Sequence, residues 1–412
     1  MNNENKIKDK DISIHDWYRF VLSFPPHLVQ EYIEKFGISQ NDVVLDPFCG
    51  TGTTNVECKK NGITSIGIEA SPITHFASTT KCSWKTPNAR MYQEAMLIAD
   101  QARREIEACT ALRTLTAEQE KLILKNSISE EPLSQVLILR DIIYAAHSMY
   151  EDYYLLALAK HIVFSYSNLK FGPEVGISRR KVYSVDVVGI WLSQVKTMQN
   201  DLECHSAMSD IPTQIIHGDA RSINPATFSQ KANFVITSPP YPNEKDYSRT
   251  TRLESVLLGY ISTKEDLRRV KNDFIRSNTK NVYKDDDDNR FIANIDSISS
   301  LSKTIEERRI ELNKTSGFER LYAKVVQLYF GGMARHLISL KPVLAPGAKL
   351  AYVVGDQASY FKIPIKTAEL LAEVAESVGY KVEGIDNFRK RYATATDTWL
   401  NEDVLILSYL GG

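Results

Sequence analysis

A glycine-rich loop carries one of the two residue patterns of this chain that are best suited to chemistry. Residues 46–53 read D-P-F-C-G-T-G-T and follow a short apolar run. Glycines in such a turn let the backbone approach a ligand closely. The string is not a phosphate-binding P-loop, because no lysine follows the glycines, and it is not the dinucleotide pattern G-x-G-x-x-G, because the third position is Asn55. Glu69 ends the next apolar run, where an acidic side chain can accept hydrogen bonds from ribose hydroxyls.

The second pattern is S-P-P-Y at residues 238–241, again directly after an apolar run. Two consecutive prolines fix φ and remove two N–H donors, so the neighbouring carbonyls are held rigidly. Ser238 and the carbonyl of Pro239 can then accept the two hydrogens of an NH2 group on a planar ring, while Tyr241 stacks on the face of that ring. A rigid Pro-Pro turn with a packed tyrosine is the structural alternative for this segment taken alone.

Both loops belong to an alternating pattern of strands and helices. Short apolar runs bounded by turn residues are typical of strands buried on both faces of a parallel sheet. A helical pattern at 367–377 separates two of these runs. The runs are 42–45, 65–68, 213–216, 234–237, 349–354, 381–385 and 403–407. The sequence therefore predicts an α/β fold with a doubly wound, mostly parallel, seven-stranded sheet.

Two stretches interrupt this alternation. From 85 to 210 the pattern is helical, with an apolar stripe that starts at Met91 and a second long apolar-rich pattern at 131–166. Residues 243–324 are polar and charged and include the acidic run 285–288, which we expect to be a solvated loop. We interpret both stretches as insertions into one sheet domain. That domain is formed by residues 1–84, 211–242 and 325–412.

The composition is that of a soluble globular protein. Of the 412 residues 43% are hydrophobic and 25% are charged, and 50 Lys and Arg balance 51 Asp and Glu. A net charge of −1 excludes a globally basic protein, so any nucleic-acid surface must be local. The five cysteines form no C-x-x-C pair, and we expect reduced thiols and no metal site. We find no signal peptide and no apolar run of membrane-spanning length, and therefore expect a cytoplasmic protein without membrane contact.

The two loops together resemble those of the amino-directed DNA methyltransferases, which transfer a methyl group from S-adenosylmethionine to N4 of cytosine or N6 of adenine. The cofactor motif of that family, D-P-F-x-G-x-G-T, is matched at residues 46–53, and its catalytic motif, [S/D/N]-P-P-[Y/F], at residues 238–241. The resemblance implies a Rossmann-like methyltransferase sheet. One departure is the order of the motifs, because enzymes of the N4-cytosine type often carry the catalytic motif first.

The resemblance implies a site for S-adenosylmethionine. Glu69 matches the acid that binds the ribose, and Asp219 matches the acid that faces the adenine ring. Residues 17–20 with 24–26 resemble the family's further cofactor motif, which closes over the methionine end. The cofactor-binding residues implied in this way are Trp17, Phe24, Asp46, Pro47, Phe48, Gly50, Gly52, Thr53, Glu69 and Asp219.

The resemblance also implies a catalytic group and a substrate. The catalytic residues are Ser238, Pro239, Pro240 and Tyr241. A serine at the first position resembles the cytosine-N4 subgroup more than the adenine-N6 subgroup. We therefore expect a site-specific methyltransferase for cytosine N4 that acts on a base flipped out of double-stranded DNA, in a restriction-modification system with a cognate endonuclease. Methylation of adenine N6 or of an RNA amino group, and a catalytically silent DNA-recognition subunit that binds the cofactor, are the alternatives.

Four arginines are candidates for phosphate contacts. Arg249 and Arg252 closely follow the catalytic motif, and Arg179 and Arg180 lie in a turn-rich basic segment. A solvated basic face or a structural ion pair explains each of them equally well. Both insertions are candidates for the target-recognition region, and the sequence favours neither.

Overall fold

A seven-stranded sheet organises the chain in the computed structural model, which describes residues 11–18, 23–85, 89–172, 174–242, 245–393 and 397–411. A separate two-stranded hairpin is formed by β3 and β4. The β-strands of the described residues are β1 (Val43–Asp46), β2 (Thr64–Glu69), β3 (Leu169–Phe171), β4 (Val175–Ile177), β5 (Thr213–His217), β6 (Ala232–Thr237), β7 (Leu344–Gly355), β8 (Lys381–Ala393) and β9 (Thr398–Tyr409).

The large sheet has the order β5-β2-β1-β6-β7-β9-β8. Its first five strands are parallel, and β9 runs antiparallel to both of its neighbours. The predicted α/β class with a mostly parallel seven-stranded sheet is confirmed. Because β1 and β6 are parallel neighbours, the loops that follow them lie side by side. This is the point where the strand order reverses, and open α/β sheets bind ligands at such a point.

Helices cover both faces of the sheet. The α-helices of the described residues are α1 (Pro26–Phe36), α2 (Thr53–Lys60), α3 (Pro72–Cys82), α4 (Met91–Ala108), α5 (Ala117–Leu122), α6 (Glu130–Ala146), α7 (Glu151–His161), α8 (Val187–Cys204), α9 (Tyr247–Thr250), α10 (Arg252–Leu257), α11 (Lys264–Asn272), α12 (Asp296–Glu311), α13 (Tyr322–Leu340) and α14 (Thr367–Ser377). No helix in these described ranges is long and apolar enough to cross a bilayer.

Alternating strand residues join different cores, as the two-residue repeat of a strand requires. Leu45 and Val235 pack with α12, α13 and α14 on one face. Val44 and Ile236 pack with α1 on the other face. Strands with apolar residues in both directions are buried on both sides, which explains their short, continuous apolar runs.

The stretch 85–210 forms a third core around α3 and α4–α8. It is not wholly helical, because the β3–β4 hairpin lies within it. The helix pattern predicted over 131–166 is divided into α6, α7 and a π-helical turn at Ile162–Tyr166. The first break falls at His147, which takes a left-handed φ of 46° at the end of α6.

The stretch 243–324 contributes to the core of the sheet domain. Ile298 and Ile305 of α12 are fully buried in the cluster that also contains α13 and α14. The prediction of a solvated loop at 285–288 is wrong for Asp288, which is buried and forms ion pairs with Arg221 and Arg335. Apart from the apolar run 256–258, the apolar residues of this stretch are scattered among polar ones, so its composition conceals the packing.

Candidate functional site

A cavity of about 690 Å³ lies at the carboxyl edge of the sheet, and we call it the carboxyl-edge cavity. The loops after β1 and β6 form adjacent walls, and β8 and β9 close the far side. Predicted site residues that line it are Phe24, Pro47, Phe48, Gly50, Thr53, Glu69, Ser238, Pro239, Pro240 and Tyr241. The structure thus brings the glycine-rich and proline-rich loops to one enclosed space.

Two glycines allow the first loop to follow its path. Gly50 has a φ of +53°, and no heavy atom lies within 4 Å of where a Cβ would be, so its backbone borders open space. Gly52 has a φ of +81° and begins α2, and a Cβ there would lie 3.1 Å from the Cβ of Ser78 on α3. The loop therefore needs glycine once for access and once for close packing.

Asp46 joins the two strands beneath the carboxyl-edge cavity rather than lining it. Its Oδ1 accepts hydrogen bonds from Thr237 Oγ1 at 2.6 Å and from Phe48 N at 3.1 Å. The carboxyl is fully buried, and burial raises its pKa to about 6. Because Thr237 immediately precedes the proline-rich loop, Asp46 holds the ends of β1 and β6 in register.

Glu69 stands at the end of β2 with its carboxylate directed by three donors. Oε2 accepts from Gly50 N at 2.9 Å, and Oε1 accepts from Ser71 N and Thr74 Oγ1, each at 2.8 Å. Burial raises the pKa of this carboxyl. A carboxylate offers about four acceptor positions, so Glu69 retains acceptor capacity toward the cavity that it lines.

The proline-rich loop has its hydroxyl groups fixed. Ser238 Oγ donates to the carbonyl of Val353 on β7 at 3.1 Å. Tyr241 Oη donates to Glu402 Oε1 at 2.9 Å, and Tyr241 N donates to Tyr247 Oη at 3.2 Å. Burial and the nearby Glu402 carboxylate raise the pKa of Tyr241 well above its usual value, so the phenol stays protonated. With its proton directed at Val353, Ser238 presents lone pairs to the cavity.

Besides Asp46 and Gly52, two further predicted cofactor residues do not line the cavity. The structure does not bring Trp17 to the cavity, because its ring is fully buried beside Tyr153 and its Nε1 donates to Asp201 at 2.7 Å. Arg19 and Phe20 of the same sequence segment lie outside the described residues. The carboxylate of Asp219 is bound by the Arg221 guanidinium at 2.8–3.1 Å, while its neighbours in sequence, Gly218 and Ala220, line the cavity.

The four candidate arginines have different environments. The structure argues against a phosphate contact for Arg252, which is half-buried and donates to the carbonyls of Ser248 and Leu122. Its guanidinium fixes α10, and its position in the sequence gives no sign of this role. Arg249 pairs with Glu174, in the turn of the β3–β4 hairpin, at 3.2 Å. Arg179 and Arg180 are exposed just after β4.

Three further residues of the carboxyl-edge cavity are not predicted by the sequence. Tyr247 supports the backbone of the proline-rich loop, and Arg389 and Glu402 form an ion pair across β8 and β9. None of them lies in a recognisable string, and only the register of β8 on β9, in which Arg389 and Glu402 are partners, brings the ion pair together.

In the part of the chain that the structure describes, no group of three or more His, Cys, Asp or Glu side chains is arranged to hold a metal ion. The buried thiol of Cys49, in the glycine-rich loop, has its pKa raised well above its usual value by burial. It is therefore a protonated packing group and not a nucleophile.

A mostly parallel sheet with an antiparallel β9 between β7 and β8, and a cavity between a D-P-F-x-G-x-G-T loop and an S-P-P-Y loop, define an α/β methyltransferase. Residues 1–76 match the N6/N4 methyltransferase family model, which is described as a DNA methylase. This match covers the first 76 residues, and together with the two loops it supports the amino-methyltransferase family, whose methyl donor is S-adenosylmethionine.

Curated relatives cover most of the chain. It is 26% identical to the type II methyltransferase M.BsoBI of Geobacillus stearothermophilus, over 93% of this chain and 82% of the relative. It is 25% identical to the type II methyltransferase M.AvaI of Nostoc sp., over 90% of this chain and 79% of the relative. The solved rRNA methyltransferase aviRa of Streptomyces viridochromogenes aligns with a TM-score of 0.35 and 10% identity, over 97% of this chain and 94% of that chain.

The residues present fit S-adenosylmethionine. The backbone at Gly50 leaves open a space that a Cβ would enter, and the Glu69 carboxylate beside it suits a ribose. Phe48 and Ala220 add apolar walls on which an adenine ring can pack. The cofactor would therefore be held between the loop after β1, the end of β2 and the loop after β5.

Proposed function

We propose that this chain is a type II DNA methyltransferase that modifies the exocyclic N4 of cytosine. The observation that carries the proposal is the hydrogen bond from Ser238 Oγ to the Val353 carbonyl, at 3.1 Å. It directs the hydroxyl proton into the sheet and leaves the oxygen as an acceptor for an amino group. The serine in this position, which resembles the cytosine-N4 subgroup, supports cytosine rather than adenine.

The reaction requires an amino group whose lone pair is available. In cytosine that lone pair is delocalised into the ring, so the free base is a poor nucleophile. Hydrogen bonds from the amino group to Ser238 Oγ and the Pro239 carbonyl favour a tetrahedral nitrogen and restore the lone pair. S-adenosylmethionine supplies an electrophilic methyl group when it is bound, and the chain's own contribution is to orient the nitrogen toward it.

The proline-rich loop is rigid enough for this task. Pro239 and Pro240 have fixed φ values, and Tyr247 and Glu402 hold Tyr241 from two sides. The Tyr241 ring packs so closely on β7 that a Cβ at Gly355 would lie 2.9 Å from it. A planar base beside the Tyr241 ring would therefore contact a rigid surface.

We propose double-stranded DNA as the substrate, with the target base flipped into the carboxyl-edge cavity. Arg179 and Arg180 are exposed, and Arg249 contacts the turn of the β3–β4 hairpin. These arginines and the hairpin of the 85–210 insertion form the phosphate-binding face in this proposal. The similarity to two type II methyltransferases supports a place in cytoplasmic restriction-modification with a cognate endonuclease.

Methyl transfer from labelled S-adenosylmethionine to unmethylated DNA, followed by mass spectrometry of the nucleosides, tests the proposal. We expect N4-methylcytosine as the product. N6-methyladenine would overturn the assignment of the base and leave the family unchanged. Labelling of RNA and not of DNA would overturn the substrate.

A further inference from the structure

A chain of polar groups runs across the carboxyl-edge cavity from the proline-rich loop to β8. Ser238 Oγ lies 3.4 Å from Tyr241 Oη, which donates to Glu402 Oε1 at 2.9 Å. The other carboxylate oxygen of Glu402, Oε2, accepts from Arg389 Nε. All four residues line the same cavity, with the Arg389 guanidinium at the end opposite Ser238.

The ion pair between Arg389 and Glu402 is more constrained than a surface pair. The two residues are register partners on β8 and β9, and their side chains are only 17% and 11% exposed. Both oxygens of Glu402 are engaged, one by Tyr241 and one by Arg389. Burying an ion pair seldom stabilises a fold. The position of this pair therefore indicates a role other than stability.

Arg389 has donors to spare. A guanidinium carries five N–H groups and no acceptor, and only Nε is used on Glu402. Among the described residues, the structure records no hydrogen bond from either of its terminal nitrogens. The guanidinium therefore presents a rigid pair of donor nitrogens on a wall of the carboxyl-edge cavity, held in place by the carboxylate that also holds Tyr241.

We propose that Arg389 is a specificity-determining residue that donates hydrogen bonds to the ring acceptors of the target base, and that Glu402 is a positioning residue for both Arg389 and Tyr241. This inference rests on the proposed function. On the Watson–Crick edge of cytosine the amino group is followed by two acceptors, N3 and O2. With its amino group at Ser238, the base turns N3 and O2 toward the wall that carries Arg389. The guanidinium on that wall offers hydrogen-bond donors and no acceptor.

The same wall selects against the other bases. Adenine has a single acceptor beside its amino group on that edge, and thymine and guanine present an N–H in the middle of it. A guanidinium cannot accept that N–H, so the N–H group would stay unpaired in a buried site. Unpaired polar groups are a strong source of discrimination in enzyme pockets.

The test uses the full-length protein with Arg389→Ala, and Lys390→Ala as the matched control, because Lys390 is an exposed neighbour on β8. We expect Arg389→Ala to lower kcat for cytosine methylation about 10- to 100-fold, the range for losing hydrogen bonds to a charged group. The Kd for S-adenosylmethionine should stay within about twofold. Lys390→Ala should behave as wild type.

Chemical rescue separates a donor from a structural residue. Guanidinium chloride at low millimolar concentration should restore part of the rate of Arg389→Ala, whereas sodium chloride at equal ionic strength should not. Arg389→Lys keeps the charge beside Glu402 but loses the planar fork, so it should fold normally and remain at least about fivefold slower than wild type. A rate within about threefold of wild type for Arg389→Ala, or a low rate without rescue, would overturn the inference.

The wild-type product distinguishes the two proposals. If the wild type forms N4-methylcytosine and Arg389→Ala is as fast, only the role of Arg389 is overturned. If the wild type forms N6-methyladenine, the assignment of cytosine fails, and the inference, which names the acceptors of cytosine, fails with it.

Discussion

The Ser238 hydroxyl is a single oxygen whose orientation determines what the proline-rich loop can bind. Its proton points to the Val353 carbonyl, so the lone pairs face the carboxyl-edge cavity. We expect Ser238→Ala to lower kcat about 100-fold, the scale for removing one preorganised hydrogen-bonding group that acts in the transition state. Binding of S-adenosylmethionine should not change, because the cofactor residues lie on other loops.

Steady-state kinetics measures kcat of Ser238→Ala, and isothermal titration calorimetry measures its affinity for S-adenosylmethionine. Ser300→Ala, an exposed serine on α12, serves as the control. A Ser238→Ala enzyme with a rate within about threefold of wild type would contradict the role of the hydroxyl.

Residue by residue, the site divides into a part that the sequence reveals and a part that it does not. The two loops are continuous strings, so their residues are recognisable from the order of amino acids alone. Arg389 and Glu402 are thirteen positions apart and meet only through strand register. For Arg252 the sequence is misleading in the other direction. Its position after the catalytic motif suggests DNA binding, but its contacts are hydrogen bonds that pack helices together.

At the scale of elements, the short turn Asp288–Ile292 anchors the polar stretch 243–324 on the sheet domain. Its first residue, Asp288, pairs with Arg221 after β5 at 2.9 Å and with Arg335 on α13 at 3.0 Å. The turn approaches α13 so closely that a Cβ at Gly331 would lie 2.1 Å from the Asp288 carbonyl oxygen. Because Arg221 also binds Asp219, the anchor reaches the loop beside the carboxyl-edge cavity.

We expect Asp288→Ala to reduce the free energy of unfolding by about 1.5–3 kcal/mol, the scale of a hydrogen bond to a charged group, because Arg221 loses one buried partner but keeps Asp219. The side chains of Asp288 and Arg221 are only 6% and 5% exposed, so solvent cannot compensate. Urea denaturation followed by circular dichroism measures the change. Asp285→Ala, in the same acidic run but exposed, should leave stability unchanged, and equal effects from both variants would refute the anchor.

For the whole molecule, strand positions follow from the sequence but their lateral order does not. Apolar runs identify the seven strands of the sheet, most clearly for central strands such as β1 that are buried on both faces, whereas the edge strands β5 and β8 are partly exposed. The order depends on pairings such as Val44 with Phe234, which join distant parts of the chain. The helical pattern over 131–166 looks continuous in the sequence because its apolar residues persist through the break at His147.

The amino-terminal segment is tied to the rest of the molecule by a group that titrates near neutral pH. Tyr18 Oη donates to Glu254 Oε1 on α10 at 2.5 Å. Burial raises the pKa of Glu254 to about 7, from an ordinary value of 4.5. Between these two values the folded state holds a proton that the unfolded state has lost. The contribution of this group to stability is therefore complete below pH 4.5 and is lost as the pH rises through 7.

Glu254→Gln keeps an acceptor for Tyr18 but cannot ionise. We expect the difference in unfolding free energy, wild type minus Glu254→Gln, to fall as the pH rises from about 5 to about 8. Asp46, with a pKa of about 6, and His15, with a pKa of about 4, also change stability with pH, but they are present in both proteins and cancel in the difference. Urea denaturation at each pH measures this difference in unfolding free energy. Glu118→Gln, at an exposed position, is the control, and its difference from wild type should not change with pH. A difference for Glu254→Gln that does not vary with pH would mean that Glu254 is already ionised in the folded protein at the acidic end of this range, and that Tyr18 binds a carboxylate there.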